Sequence, residues 1–239
     1  MGRAVLMLLL SALLAGCAGP DQAGAGRDDW PHDARLSYRL NGQARGEPLV
    51  GNAYLLWQRQ GVRYQAELNL DVKNLVNLSM TSQGTVTPDA LVPQAYEENR
   101  LGKRRKVLFG SDMITLNNGQ QTPQQSGIQD AVSQFVDLGH RFTRGRAMPR
   151  VGETVSLPLG RPSSVNVWSY DVVDRQMLHI PPRGELEVFH LKPRPMASAG
   201  GALVEMWLAP NLQYLPVKIR VSTGESDYID LTMNNIELR

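Results

Sequence analysis

Four histidines (His32, His140, His179 and His190), one cysteine (Cys17) and 23 carboxylates are the groups in this 239-residue chain from which acid–base, nucleophilic or metal chemistry could be built. Hydrolysis would need a nucleophile, a base and a third group to orient the base. The histidines stand apart: none lies within a helical turn of another, and no His-Glu-x-x-His pattern occurs. Neither a Gly-x-Ser-x-Gly elbow nor a phosphate-cradling glycine loop is present. The acidic pairs Asp28-Asp29 and Glu97-Glu98 are adjacent, and adjacent strand residues point to opposite faces, so neither is a carboxylate dyad. No catalytic residue is assigned, and no metal or cofactor is expected.

Cys17 has a different setting. Arg3 is followed by an apolar stretch from Ala4 to Leu14 and then by Leu14-Ala15-Gly16-Cys17. A charged start, a short apolar run and small residues at a cleavage point describe an export signal. About a dozen apolar residues are too few to span a bilayer core of roughly 30 Å. Leu-Ala-Gly-Cys resembles the lipobox of bacterial lipoproteins, in which the cysteine is acylated and the chain is cut just before it. Residues 1–16 are therefore expected to be removed between Gly16 and Cys17. Cys17 would carry the acyl chains (diacylglycerol, palmitate), since several chains hold a protein where a single one binds reversibly. No thiol would then remain for a disulfide, a metal or a nucleophile. Ala18 lies directly after the cysteine. With no acidic residue there, the sequence resembles outer-membrane lipoproteins of the cell envelope, facing the periplasm.

Removal of residues 1–16 takes away one arginine, Arg3, leaving 24 basic against 23 acidic residues. Near-neutrality argues against a general nucleic-acid binder. Residues 17–29 are small and polar and read as a flexible tether. Residues 30–239 are enough for one all-β domain with a single core.

The elements that position the remaining side chains are short alternating segments. Leu36, Tyr38 and Leu40 alternate with Ser37 and Arg39. The runs 50–60 and 62–70 flank Gln60-Gly61 as a hairpin, with Val62, Tyr64, Ala66, Leu68 and Leu70 on one face. Further strands are expected near 75–86, 91–99, 104–109, 112–117, 155–159, 165–174, 185–192, 202–208, 213–222 and 227–238, with a turn at Asn118-Gly119. Pro210 should end a strand, and Pro216 implies an edge or a bulge. One helix is expected from Ser126 to Leu138, where Ile128, Ala131, Val132, Phe135, Val136 and Leu138 recur at helical spacing, with Ser126 as N-cap and Gly139 as the stop. The expected fold is mainly β: a curved antiparallel meander forming an incomplete or closed β-barrel with one inserted helix.

Strand alternation sends Trp57, Trp168 and Trp207 to one face, and Tyr64 and Phe135 join the apolar set. In a filled barrel these aromatics are core; in an open one they line a ligand cavity, and both demand an apolar inner face. Arg100, Lys103, Arg104, Arg105 and Lys106, with Arg141, Arg144, Arg146 and Arg150, put much of the positive charge in the middle third. Lys103, Arg104, Arg105 and Arg144 are the candidate contacts to anionic head groups. The alternative is that such charge keeps sheet edges from pairing.

Several stretches resemble an exported bacterial family known as domain of unknown function 3108. They are Tyr54-Leu55-Leu56-Trp57 with Gly61-Val62-Arg63-Tyr64; Ser82-Gln83-Gly84; Gln129-Asp130; residues 168–173; Glu205-Met206-Trp207-Leu208-Ala209-Pro210; and Leu215-Pro216-Val217-Lys218-Ile219-Arg220. Ala131 departs from the arginine usual after the Gln-Asp step. The resemblance implies a strongly curved, incompletely closed antiparallel barrel with no established enzymatic activity. That architecture is similar to periplasmic carriers whose open barrels hold acyl chains under a helical lid. The expected function is that of a non-enzymatic, membrane-anchored periplasmic lipoprotein that binds a hydrophobic or amphipathic ligand, with no nucleic-acid partner. The alternative is a protein-interaction scaffold with a fully packed core.

Overall fold

The computed structural model describes residues 30–31, 33–72, 76–181, 183–195, 202–224 and 226–238. The signal, the acylation site Cys17, the tether and His32 lie outside them. Among the described residues, fifteen strands form one curved, unclosed sheet. In chain order they are β1 (Asp33–Ala44), β2 (Glu47–Gln60), β3 (Arg63–Val72), β4 (Val76–Val86), β5 (Leu91–Arg100), β6 (Lys103–Phe109), β7 (Met113–Thr115), β8 (Gln121–Pro123), β9 (Gln129–Asp130), β10 (Thr154–Arg161), β11 (Ser164–Ile180), β12 (Gly184–Pro193), β13 (Leu203–Ala209), β14 (Leu215–Ser222) and β15 (Tyr228–Leu238). A helix, α1 (Ser133–Thr143), lies between β9 and β10.

The strands make two meanders, β1 to β8 and β9 to β15, joined where β1 pairs antiparallel with β15. β8 and β9 are the two edges, and β9 alone pairs in parallel, with β10. The mainly β character with one inserted helix is as expected from the alternation. In β1, Ala34, Leu36, Tyr38 and Leu40 are buried; across from them so are Ala53, Leu55 and Trp57 of β2. Val62 leaves its expected face: β3 begins at Arg63, and Val62 is exposed in the turn. Pro216 marks a bulge inside the sheet, where the β13–β14 register skips between Trp207 and Leu208. The Tyr38 hydroxyl donates to the Pro216 carbonyl at 2.8 Å. Burial pushes the Tyr38 phenol far above its ordinary range.

The helix differs most from expectation. It starts seven residues after Ser126, because Gln129 and Asp130 are extended against Leu159 and Gly160 of β10. Its N-cap, Val132, has no capping side chain, and Asp130 closes the turn that leads into it: Oδ1 accepts from the Val132 and Ser133 amides at 2.9 and 2.8 Å, and Ser133 Oγ accepts from the Asp130 amide at 2.8 Å. Gly139 is inside the helix. A Cβ there would meet Trp30 at 2.8 Å and the carbonyls of Gln213 and Tyr214 at 3.1 Å. Alanine normally favours a helix interior over glycine by about 1 kcal/mol. Here Gly139→Ala is expected to destabilise the fold by about 1–2 kcal/mol, because the clash is with backbone and a packed indole. Urea unfolding checks this; a stabilised variant would contradict the packing.

Candidate functional site

The helix is buried on almost every side, its burial running from Ser133 to His140 and including Phe142. A helix enclosed all round occupies the interior of a fold. Its later turns pack on Trp30, at 5.6 Å from the His140 ring, and on Tyr214, at 5.4 Å from Phe142. Its first turn carries a polar network that joins the two ends of the sheet. Asp130 Oδ2 accepts from Ser82 Oγ of β4 at 2.5 Å, and Ser82 Oγ also bonds the Tyr64 hydroxyl of β3 at 3.0 Å. Gln129 Nε2 donates to the Leu91 carbonyl at 2.9 Å. The Leu91 amide donates to Asp137 Oδ1 at 2.8 Å, and Asp137 pairs with Arg141 at 2.7 Å. The Asn117 amide reaches the Pro162 carbonyl at 3.1 Å. Side chains and one backbone bond thus bridge a gap that no ladder crosses among the described residues. The Gln129-Asp130 step belongs to this seam.

Burial raises the Asp130 carboxyl to about 6, although the Ser133 and Val132 amides and Ser82 oppose the shift. Burial also raises Asp137 to about 6, against Arg141 and the Leu91 amide. Tyr64 is pushed well above its usual value by burial and then by the Asp130 charge. In the unfolded chain an aspartate titrates near 3.9. Between roughly pH 4 and 6 the native state therefore holds more protons than the unfolded state, and stability falls as pH rises through that window. Asp171 shifts the other way, held low by Arg194 and Thr154, so its contribution is lost only at more acid pH. The melting temperature is expected to climb as pH drops from 7.5 to 5.5, and to climb less in Asp130→Asn. An unchanged slope in the variant would sink the assignment.

Beside the first turn of α1 is a cavity of about 310 Å³. Leu70, Met80, Phe135, Trp168, Val204 and Ile229 are among the apolar side chains that line it, drawn from the concave faces of both meanders. Among the described residues its charged lining residues are Arg100 and Arg161, and none is acidic. Arg161 is half-buried, with its guanidinium carbon 4.9 Å from the Trp168 ring centroid.

Of the five aromatics expected on a ligand face, Phe135 and Trp168 border this cavity. Trp57 and Tyr64 are buried core, stacked at 5.3 Å, with Trp57 Nε1 donating to the Pro31 carbonyl at 2.9 Å. Trp207 has the opposite strand parity to Val204, which lines the cavity. It stacks on His190 at 4.2 Å under the Lys218 ammonium. His190 in turn sits 2.9 Å from Glu205 and 3.4 Å from Asp174. His179 contacts Glu185 at 2.9 Å on the surface. The basic run is a strand: Arg105 pairs with Glu98 at 2.6 Å and Arg104 approaches Glu97 at 4.0 Å across β5. Lys103 is exposed at the start of β6, and Arg144 is the C-cap of α1. None of these four lines the cavity. Arg161 was not singled out by spacing, for an isolated arginine after Gly160 carries no pattern.

A family model described as "Protein of unknown function (DUF3108)" matches residues 35–232. No curated protein matches the sequence. Among solved structures, a β-barrel-like protein of domain of unknown function DUF1849 from Brucella abortus is 9% identical. It covers 87% of this chain and 98% of its own, with a TM-score of 0.58, and it supports the fold alone. A DUF1329 family protein from Desulfovibrio piger is 9% identical over 88% of this chain and 87% of its own, TM-score 0.33. A domain provisionally described as outer membrane lipoprotein-sorting, from Vibrio parahaemolyticus, is 10% identical over 89% and 87%, TM-score 0.28.

Proposed function

The chain belongs to the DUF3108 family, and from that premise we propose that it is a non-enzymatic, lipid-anchored envelope protein that binds an amphipathic ligand inside its curved sheet. The observation that carries this reading is the cavity of about 310 Å³ between the concave sheet and the first turn of α1. Small-molecule sites usually occupy roughly 300–1,000 Å³ and are mostly apolar with a few polar groups. A volume at the low end of that range suits one acyl chain better than a multi-chain lipid. Cys17 would attach the protein to a membrane through acyl chains, the outer membrane being favoured by the residues that follow it, and the barrel would face the periplasm.

The test is native mass spectrometry of residues 17–239 carrying Cys17→Ser, exported to a bacterial periplasm behind a cleavable signal that needs no acylation and purified without detergent. A reproducible mass increment that extracts as lipid supports the reading and names the ligand class. A clean apo mass that takes up nothing from envelope extract overturns it and favours the scaffold alternative.

A further inference from the structure

We propose that the cavity is selective for a single-chain amphiphile with an anionic head, its chain among the apolar side chains and its carboxylate or phosphate between Arg100 and Arg161. This rests on the reading of the cavity as a ligand site and adds the charge of the ligand to it. Three observations carry it. Among the described residues, both charged groups in the lining are arginines, with no carboxylate to offset them. Neither forms an ion pair among the described residues, whereas neighbouring Arg104 and Arg105 on β6 face Glu97 and Glu98. The Arg161 Nε is buried without a hydrogen-bond partner among the described residues, its guanidinium lying over Trp168. A guanidinium offers a planar fork of donors suited to carboxylate and phosphate oxygens, and desolvation strengthens such contacts.

The arginines come from opposite ends of the sheet order. Arg100 closes β5 in the first meander and Arg161 closes β10 in the second. Both line the same cavity because the sheet curls around α1. A head group bound to both would link the two meanders at the cavity, as the Asp130 seam links them at the helix cap.

The experiment compares four twelve-carbon probes below their micellar concentrations, using calorimetry on residues 17–239 with Cys17→Ser: dodecanoate, dodecyl phosphate, neutral 1-monolauroylglycerol and cationic dodecyltrimethylammonium. The anions are expected to bind about tenfold or more tightly than the neutral probe, and the cation most weakly. The ratio of dodecanoate to dodecyl phosphate affinity assigns the head group as carboxylate or phosphate. Arg161→Gln should lower anion affinity about tenfold with monolauroylglycerol affinity unchanged. Arg100→Gln, at an exposed position, repeats the measurement should the first variant fold poorly. Equal affinity for anionic and neutral probes, or an equal loss for both in the folded variant, overturns the head-group proposal while leaving the cavity reading intact. Binding of none of the four overturns both.

Discussion

Asp130→Ala is expected to lower the unfolding free energy by about 3 kcal/mol, because it strands several buried groups at once. The Val132 and Ser133 amides lose their acceptor, Ser82 Oγ loses one of its two partners and keeps Tyr64, and the parallel pairing of β9 with β10 loses the residue that anchors it to β4. Asp130→Asn should cost far less at neutral pH. Its Oδ1 can still accept both amides. Its Nδ2 can donate to Ser82 Oγ if the Ser82–Tyr64 hydroxyl pair reverses, which the 3.0 Å contact permits in either sense. Denaturant unfolding of the two variants checks the pair. Comparable losses would show that the negative charge, rather than the accepting geometry, holds the seam.

Val221→Trp is expected to reduce ligand uptake at least about tenfold, equivalent to roughly 1.4 kcal/mol of binding, while stability changes by less than that. Val221 borders the cavity, so the larger ring has space to enter and does not have to displace packed atoms. Strands also accept aromatics readily. Val167→Trp, on the exposed side of β11, is the control that adds the same indole without filling the cavity. Retained uptake in Val221→Trp would place the ligand elsewhere.

Strands buried on one face were legible in the sequence because period two survives wherever water covers one side and core the other. β3 shows this in Tyr64, Ala66, Leu68 and Leu70. β11 was expected to end near 174 yet runs to Ile180. Beyond the bulge at Val172–Asp174, Arg175, Gln176 and Met177 are exposed in succession, so alternation vanishes while pairing with β12 continues. β8 and β9 were missed because Gln121-Thr122-Pro123 and Gln129-Asp130 are too short to carry a period. The helical spacing from Ile128 was real as apolar content and misleading as geometry: Asp130, a charge amid apolar neighbours, was the available sign that backbone there is capped rather than helical. The cavity was less legible still. Trp207 is flanked by Met206 and Leu208, both buried on the inner face, so strand parity turns its ring away from the cavity, whereas Trp168, between Val167 and Ser169, reaches the cavity beside Phe135.

The pairing of β1 with β15 has a consequence for how the chain reaches this state. Every other antiparallel pair forms between consecutive strands, so each meander can zip up locally. Asp33–Ala44 and Tyr228–Leu238 must instead find each other across nearly two hundred residues. Non-local pairings of this kind are made late and slowly, since loop closure is lost before contact is gained. The two half-sheets should therefore form first as separate, sticky intermediates, one with the outer edge of β1 open and the other with that of β15. Kinetic partitioning at that moment, between docking of β1 on β15 and pairing with another molecule, would set the yield of folded protein more than the final stability does.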